Sequence, residues 1–288
     1  MTIVLRSIAE VRAWRDGLPR EQDVALVPTM GALHAGHISL MELARRQAPI
    51  TIASIFVNPL QFAPGEDLEK YPRPIEKDLA LLEAAGVDAV FLPTAAELYP
   101  DNASTYVNEE RVSTHLCGAE RPGHFRGVTT VVLKLFNIVA PDVAVFGQKD
   151  AQQCTVIERM VRDLNVRVRI VRGPIVREAD GLAMSSRNIY LSPSERAAAP
   201  AIVSSLRAAQ AAFEQGERSS AQLAALGIAS LSATPLVRLQ YWEVRHPETL
   251  EPIEIIGPEG ALLAVAAHVG TTRLIDNFLI GGAAAAVQ

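Results

Sequence analysis

Short β-rich runs alternate with helical runs through the first two thirds of the chain, and few architectures accommodate that order. Residues 24–27 read as a buried strand, followed by a Gly-containing turn and a helical stretch ending near residue 46. A second strand is expected over 50–57, stopped by Asn58-Pro59. Residues 74–85 read as a helix with Pro74 at its first position and Gly86 just past its end. A strand over 89–92, a helix over 128–139, a strand over 143–146, a helix over 151–164 and a strand over 166–171 continue the pattern. Alternation of this kind builds an α/β fold, a doubly wound, mostly parallel sheet with helices on both faces. Ligands of such sheets sit outside the carboxyl ends of the strands.

Arg172-Gly173-Pro174 interrupts the alternation and divides residues 1–174 from a smaller α+β domain, 175–288. In the latter, Ser192-Pro193-Ser194-Glu195 is a capping box that opens an Ala-rich helix. Strands are expected over 237–244 and 261–269, and a frayed alanine-rich end over 283–286. With 27 Lys+Arg against 32 Asp+Glu, the net charge is −5, and no basic block is present. Nucleic acid and membrane surfaces are therefore not expected partners. Cys117 and Cys154 form no CxxC pair, which argues against zinc ribbons and for reduced thiols. The first residues lack the pattern of a secretory signal, and the apolar run 261–267 is too short to span a bilayer. A cytoplasmic protein is expected.

Three segments at expected strand or linker ends suit phosphate. The first is Pro28-Thr29-Met30-Gly31-Ala32-Leu33-His34-Ala35-Gly36-His37, running from a strand into a helix start. Helix N-termini offer N–H groups to anions, and imidazoles three residues apart can face one ligand. The same residues also suit a tight βα turn with surface histidines. Neither a P-loop nor GxGxxG is present. The second segment is Phe146-Gly147-Gln148-Lys149-Asp150, where Lys149 can meet a phosphate and Asp150 can cap the next helix. The third is Met184-Ser185-Ser186-Arg187-Asn188, whose hydroxyls and guanidinium can wrap a polyphosphate or simply line a polar loop. Neutral Asn58, Gln61 and Gln153 offer amides to hydroxyls and carboxylates, although Asn58 before proline also has a turn explanation. Gln153, four residues beyond Lys149, is expected to share a helix face with it. His124 suits a structural or a ligand role equally. Asp78 is the nearest carboxylate for a metal, and is expected to be a solvated helix residue with no dedicated metal cage around it.

Taken together these segments resemble the pantoate–β-alanine ligase family. The matching runs are 28–31 with His34-x-Gly36-His37, Phe56-Val57-Asn58-Pro59 with Gln61-Phe62, and Tyr71-Pro72-Arg73. They continue with 122–128, Lys134-Leu135-Phe136-Asn137, 146–153, Asp180-Gly181-Leu182, 184–188 and Arg273-Leu274-Ile275-Asp276-Asn277. HxGH alone marks the wider nucleotidylyltransferase superfamily. The resemblance implies a Rossmann-like domain, a smaller domain closing over ATP, and a homodimer. It implies that ATP and pantoate give pantoyl adenylate and pyrophosphate, after which β-alanine displaces AMP. ATP would contact Met30, Gly31, Ala32, Leu33, His34, Ala35, Gly36, His37, Gly147, Gln148, Lys149, Asp150, Val176, Met184, Ser185, Ser186 and Arg187. Gln61, Gln153 and Asn58 would face pantoate and β-alanine, and His37, with His34, Lys149 and Arg187, would carry the chemistry. Mg²⁺ would enter with the nucleotide. Cys117 stands where many members carry a glutamate, so a role assigned to that glutamate does not transfer. The rival readings are a related nucleotidylyltransferase releasing no AMP, and a metal hydrolase using His34, His37 and His124.

Overall fold

The structure, a computed structural model, describes residues 2–63 and 65–282, so the tail at 283–286 lies outside the described residues. In chain order the elements are β1 (Ile3–Leu5), α1 (Ile8–Asp16), β2 (Val24–Thr29), α2 (Ala35–Gln47), β3 (Ile50–Ile55), α3 (Ile75–Ala84), β4 (Ala89–Phe91), α4 (Ala95–Leu98), α5 (Leu116–Glu120), α6 (His124–Val139), β5 (Val143–Gly147), α7 (Ala151–Asp163) and β6 (Arg169–Gly173). They are followed by α8 (Pro193–Ala198), α9 (Ala201–Glu214), α10 (Ser220–Ser232), β7 (Val237–Arg245), β8 (Ala261–Val269) and β9 (Thr272–Ile280). The chain divides into two compact units. The first comprises the chain up to Ser113 with Gly118–Gly147 and Val156–Gly173; the second comprises Thr114–Cys117, Gln148–Thr155 and the chain from Pro174 onward. The two short segments escape any reading that divides the chain at one point.

The first unit carries a six-stranded sheet ordered β1-β4-β3-β2-β5-β6, with every pair parallel. The central strands β2 and β5 open as unbroken apolar runs, because both faces are covered. Val24, Ala25, Leu26 and Val27 of β2 are all fully buried. Winding reverses between β2 and β5, the switch point at which open α/β sheets place ligands.

Several boundaries differ from the sequence reading for identifiable reasons. β6 begins three residues late because Asn165 turns left-handed (φ 53°) and the Val166 N–H closes α7 by bonding the Val161 carbonyl. Pro74 is the cap of α3 and not its first residue. Helix α6 starts four residues earlier than expected, after Gly123. β1 and α1 were not anticipated. Strand β1 has only three residues and pairs solely with β4, too short for periodicity to reveal, although Ser7 and Glu10 form a capping box on α1.

In the second unit an antiparallel sheet β7-β8-β9 packs one face against α9 and α10. Leu263, Val265, Ala267, Leu274, Phe278 and Ile280 from that face join Ile202, Leu206, Leu223 and Leu231 in one core. Alternation turns Tyr241, Arg273 and Asn277 to the other face. The capping box at Ser192 and Glu195 opens α8 as expected, whereas α10 and β9 were missed. In α10, a Cβ on Gly227 would lie 2.3 Å from the Trp242 ring, which the Nε1–H···Oγ bond to Ser205 (3.0 Å) holds in place. Gly227→Ala gains about 1 kcal/mol of helix propensity but overpacks a rigid ring, at about 1–3 kcal/mol. Net destabilisation, read as a lower urea midpoint with unchanged slope, is the expected outcome.

Candidate active site

The turn that follows β2 is the most constrained stretch of the first unit. Gly31 (φ 81°) and Ala32 (φ 51°) are both left-handed, so the Ala32 and Leu33 N–H groups turn inward. Asp78, on α3, receives them at 2.8 Å each, one on each carboxylate oxygen. Asp78 is fully buried. It is therefore not the solvated helix residue the sequence suggested, because two backbone donors replace its water. A Cβ on Gly31 would meet Asp78 Oδ2 at 2.9 Å, so the turn admits no side chain there.

This turn delivers His34 to the N-cap of α2. His34 Nδ1 accepts the Gly36 N–H (3.2 Å), and His37 Nδ1 accepts the His34 N–H (3.3 Å). HxGH thus folds as a capping box in which two imidazoles take the places usually held by Ser/Thr and Glu/Gln. Because each Nδ1 accepts, each ring carries its proton on Nε2. The rings lie 4.1 Å apart, centroid to centroid, and present two N–H donors from one helix start. This is the geometry for hydrogen-bonding an anion's oxygens.

Beside it, Gln61 donates from Nε2 to the Met30 sulfur (3.1 Å). Gln61 follows Asn58, whose side chain is satisfied on every side. Asn58 Nδ2 donates to Gln61 Oε1 and to the Gly127 carbonyl, 3.1 Å each, and Oδ1 accepts from the Leu60 N–H (3.3 Å) and the Tyr99 hydroxyl (3.0 Å). Burial pushes the Tyr99 phenol well above its ordinary range, so it remains a donor. Helix α6 can approach this closely because Gly127 lacks a Cβ, which would fall 2.3 Å from the Leu60 carbonyl. His124 is occupied on both nitrogens, by the Gln61 carbonyl (2.8 Å) and by Arg121 (3.2 Å), and so holds the Gln61 backbone. Among the described residues no three His, Cys, Asp or Glu side chains gather as a metal-type group. The metal-hydrolase reading, which needs His34, His37 and His124 on one ion, lacks that convergence.

The second unit contains the remaining candidates. Lys149 lies in a 3-10 turn, Gln148–Asp150, that precedes α7. It is therefore not on the α-helix with Gln153, because the chain leaving β5 tightens first. The Lys149 ammonium sits 3.5 Å from Asp150. Met184 returns its N–H to the Val176 carbonyl (2.9 Å), and Ser185 caps the 3-10 turn Ser186–Tyr190 by accepting the Arg187 N–H (3.2 Å). Asn188 donates to Glu178 (2.7 Å), whose other oxygen takes Arg196, while Arg196 also reaches Asp180 (2.6 Å). Thus Met30, Ala32, Leu33, His34, His37, Asn58 and Gln61 form one connected group in the first unit, where Gly147 also ends β5. Gln148, Lys149, Asp150, Gln153, Val176 and residues 184–187 belong to the second unit. Sequence reasoning missed Asp78 and Tyr99 as supports, since each acts across a long sequence separation that no local spacing announces.

Asp78→Asn leaves one of the two inward N–H groups facing an amide N–H. Loss of a hydrogen bond to a charged group, with a buried donor stranded, predicts destabilisation of about 1.5–3 kcal/mol by urea denaturation. An unchanged midpoint would show that the turn does not depend on this carboxylate.

Known proteins resemble this chain over nearly its whole length. A profile of the family described as pantoate-beta-alanine ligase matches residues 3–279. The chain is 53% identical over 277 residues to a pantothenate synthetase from Chloroflexus aggregans, covering 96% of this chain and 99% of that one. It is 54% identical over 279 residues to one from a Geobacter species, covering 97% and 99%. Among solved structures, pantothenate synthetase from Thermus thermophilus superposes with a TM-score of 0.92 at 47% identity, covering 97% of this chain and 100% of that one. The Francisella tularensis pantoate-beta-alanine ligase, complexed with beta-gamma ATP and beta-alanine, gives 0.81 at 32%, covering 97% and 98%. The helix-capping histidines, the neutral amides around Gln61 and this near full-length identity converge: the chain belongs to the pantoate–β-alanine ligase family.

Proposed function

We propose that this chain joins pantoate to β-alanine with ATP as co-substrate, through a pantoyl adenylate. A pantoate carboxylate oxygen bonds to the α-phosphorus of ATP as the bond to pyrophosphate breaks. The β-alanine nitrogen then attacks the acyl carbon, loses a proton and expels AMP, giving pantothenate. The single observation carrying this reading is the histidine capping box. His34 and His37 hold Nε2–H donors at a helix start, where charge develops on phosphoryl oxygens. Lys149 and Arg187 supply positive charge to the phosphates, alongside the backbone of 30–36, Gly147, Gln148, Asp150, Val176, Met184, Ser185 and Ser186. Gln61 and Gln153 hold pantoate through neutral hydrogen bonds, which leave the attacking carboxylate nucleophilic. Asn58 fixes the Gln61 amide from behind. Magnesium arrives on the polyphosphate as part of the substrate, since Asp78 is engaged by backbone donors and no dedicated carboxylate cage is gathered among the described residues. The smaller domain closes over the nucleotide, and the chain works as a cytoplasmic homodimer. No helix among the described residues is long and apolar enough to cross a membrane, and neither Cys117 nor Cys154 is in a disulfide.

Incubation with ATP, pantoate and β-alanine should yield AMP and pantothenate; ADP, or a nucleotide-bearing product without AMP, would overturn the assignment. Labelled pyrophosphate should exchange into ATP with pantoate alone. Exchange that requires β-alanine would exclude a free adenylate.

His37→Gln separates the two tasks of His37. Glutamine is an ordinary capping-box residue and preserves the acceptor for the His34 N–H. Thermal stability should stay close to the parent, while adenylation falls roughly a hundred- to a thousandfold, the cost of one transition-state donor. His37→Ala should lose both. Full activity in His37→Gln would place this side chain in the cap alone.

A further inference from the structure

Lys149 is the cation that the proposed reaction asks to meet phosphate, yet it stands in a single 3-10 turn and not on a helix. A four-carbon side chain on a short turn is a poorly defined donor unless its backbone is held. What holds it is β9. Asn277 Nδ2 donates to the carbonyls of both Gln148 (3.0 Å) and Lys149 (2.9 Å), and Asn277 Oδ1 accepts the Gln148 side-chain amide (3.0 Å). Asn277 and Gln148 are buried, so these bonds do not exchange with water.

Asn277 is itself anchored from the opposite face of the sheet. The neighbouring Asp276 accepts the Asn277 N–H at Oδ1 (2.8 Å) and forms a two-pronged pair with Arg177, at 2.7 and 3.0 Å. Arg177 also donates to the Gly181 carbonyl (3.0 Å) and stacks its guanidinium over the Phe278 ring, 5.1 Å from its centroid. Asp276 and Asn277 together therefore tie two chain segments to one strand on its two faces, 148–149 through Asn277 and 177–181 through Asp276. The second segment runs directly into residues 184–187.

We propose that Asn277 is a positioning residue for the adenylation step, fixing the backbone from which Lys149 reaches the phosphates, with the Arg177–Asp276 pair as its anchor. The proposal rests on the role given above to Lys149. Asn277 acts from behind the turn 148–150, and the part of its effect that passes through Lys149 is separable from a general contribution to folding. A misplacement of about 1 Å at a reacting centre costs up to about a hundredfold in rate.

The test is a double-mutant cycle on the full chain, read by pantoate-dependent pyrophosphate exchange, with thermal melting recorded for each variant. Asn277→Ala should lower kcat by about ten- to a hundredfold with a smaller change in the KM for pantoate. In a Lys149→Ala background the same substitution should cost less than about twofold, because residues acting as one unit are not additive. If Asn277→Ala does not fold, Asn277→Asp is isosteric, keeps the acceptor for Gln148 and removes the two donations, and it serves the same cycle. A purely structural Asn277 would lower the melting temperature and cost the same factor in both backgrounds; that additive result overturns the proposal. A Lys149→Ala variant with undiminished exchange would instead overturn the role of Lys149, and this inference with it.

Discussion

Everything distinctive about the first unit follows from two backbone N–H groups that point inward. The left-handed turn at Gly31 and Ala32 aims the Ala32 and Leu33 amides away from solvent, where an unanswered donor costs about 1–3 kcal/mol each. Asp78 answers both with one buried carboxylate, and the turn then has no freedom left. The consequence appears a residue or two later. His34 is delivered with extended backbone to the position before α2, and only there can its ring accept an N–H from the helix it starts. The placement of the helix terminus and the tautomer of both imidazoles are therefore set by a residue on a different helix.

The second unit solves a related problem with a sheet instead of a turn. A three-stranded antiparallel sheet needs cover on at least one face, and α9 and α10 supply it. The other face mixes Tyr241, Arg273 and Asn277 with buried Leu262, Ala264, Ala266 and Leu279, and it receives segments from far away in the sequence. Residues 148–149 bond Asn277, and Cys117 reaches Tyr241 and Arg273. The two segments are joined to each other where Gln152 donates to the His115 carbonyl (2.6 Å). That is the physical reason Thr114–Cys117 and Gln148–Thr155 group with the later part of the chain.

The sequence announces what is local and periodic. Buried runs such as 24–27 and 143–146 have no reading but central strands, and the capping box at Ser192 is complete within four residues. That HxGH opens a helix was legible too, though not the capping form it takes, because a histidine pair is not among the usual capping chemistries. What stayed hidden depends on partners distant in the chain. Asp78 looked like a helix carboxylate because nothing nearby shows that two amides 45 and 46 residues away face it. Strand β9 was hidden by composition. Thr272, Arg273, Asp276 and Asn277 break the apolar signal, and the last three are polar because each has a partner to hold across the sheet or beyond it.

Cys117 shows how such a surface accommodates a buried charge. A buried charge is ordinarily costly when it is left unmatched. Here Arg273 is not left unmatched. Its Nε donates to Gln240 (2.7 Å), and its terminal nitrogen donates to the Cys117 sulfur (3.3 Å), which also meets the Tyr241 hydroxyl (3.1 Å). Burial foremost, with the Cys117 contact, pushes the Tyr241 phenol up, so that hydroxyl keeps its proton. A polarizable sulfur is a softer acceptor than an oxygen and adapts to both contacts. The contacts of one sulfur with Arg273 and Tyr241 tie 114–117 to the sheet.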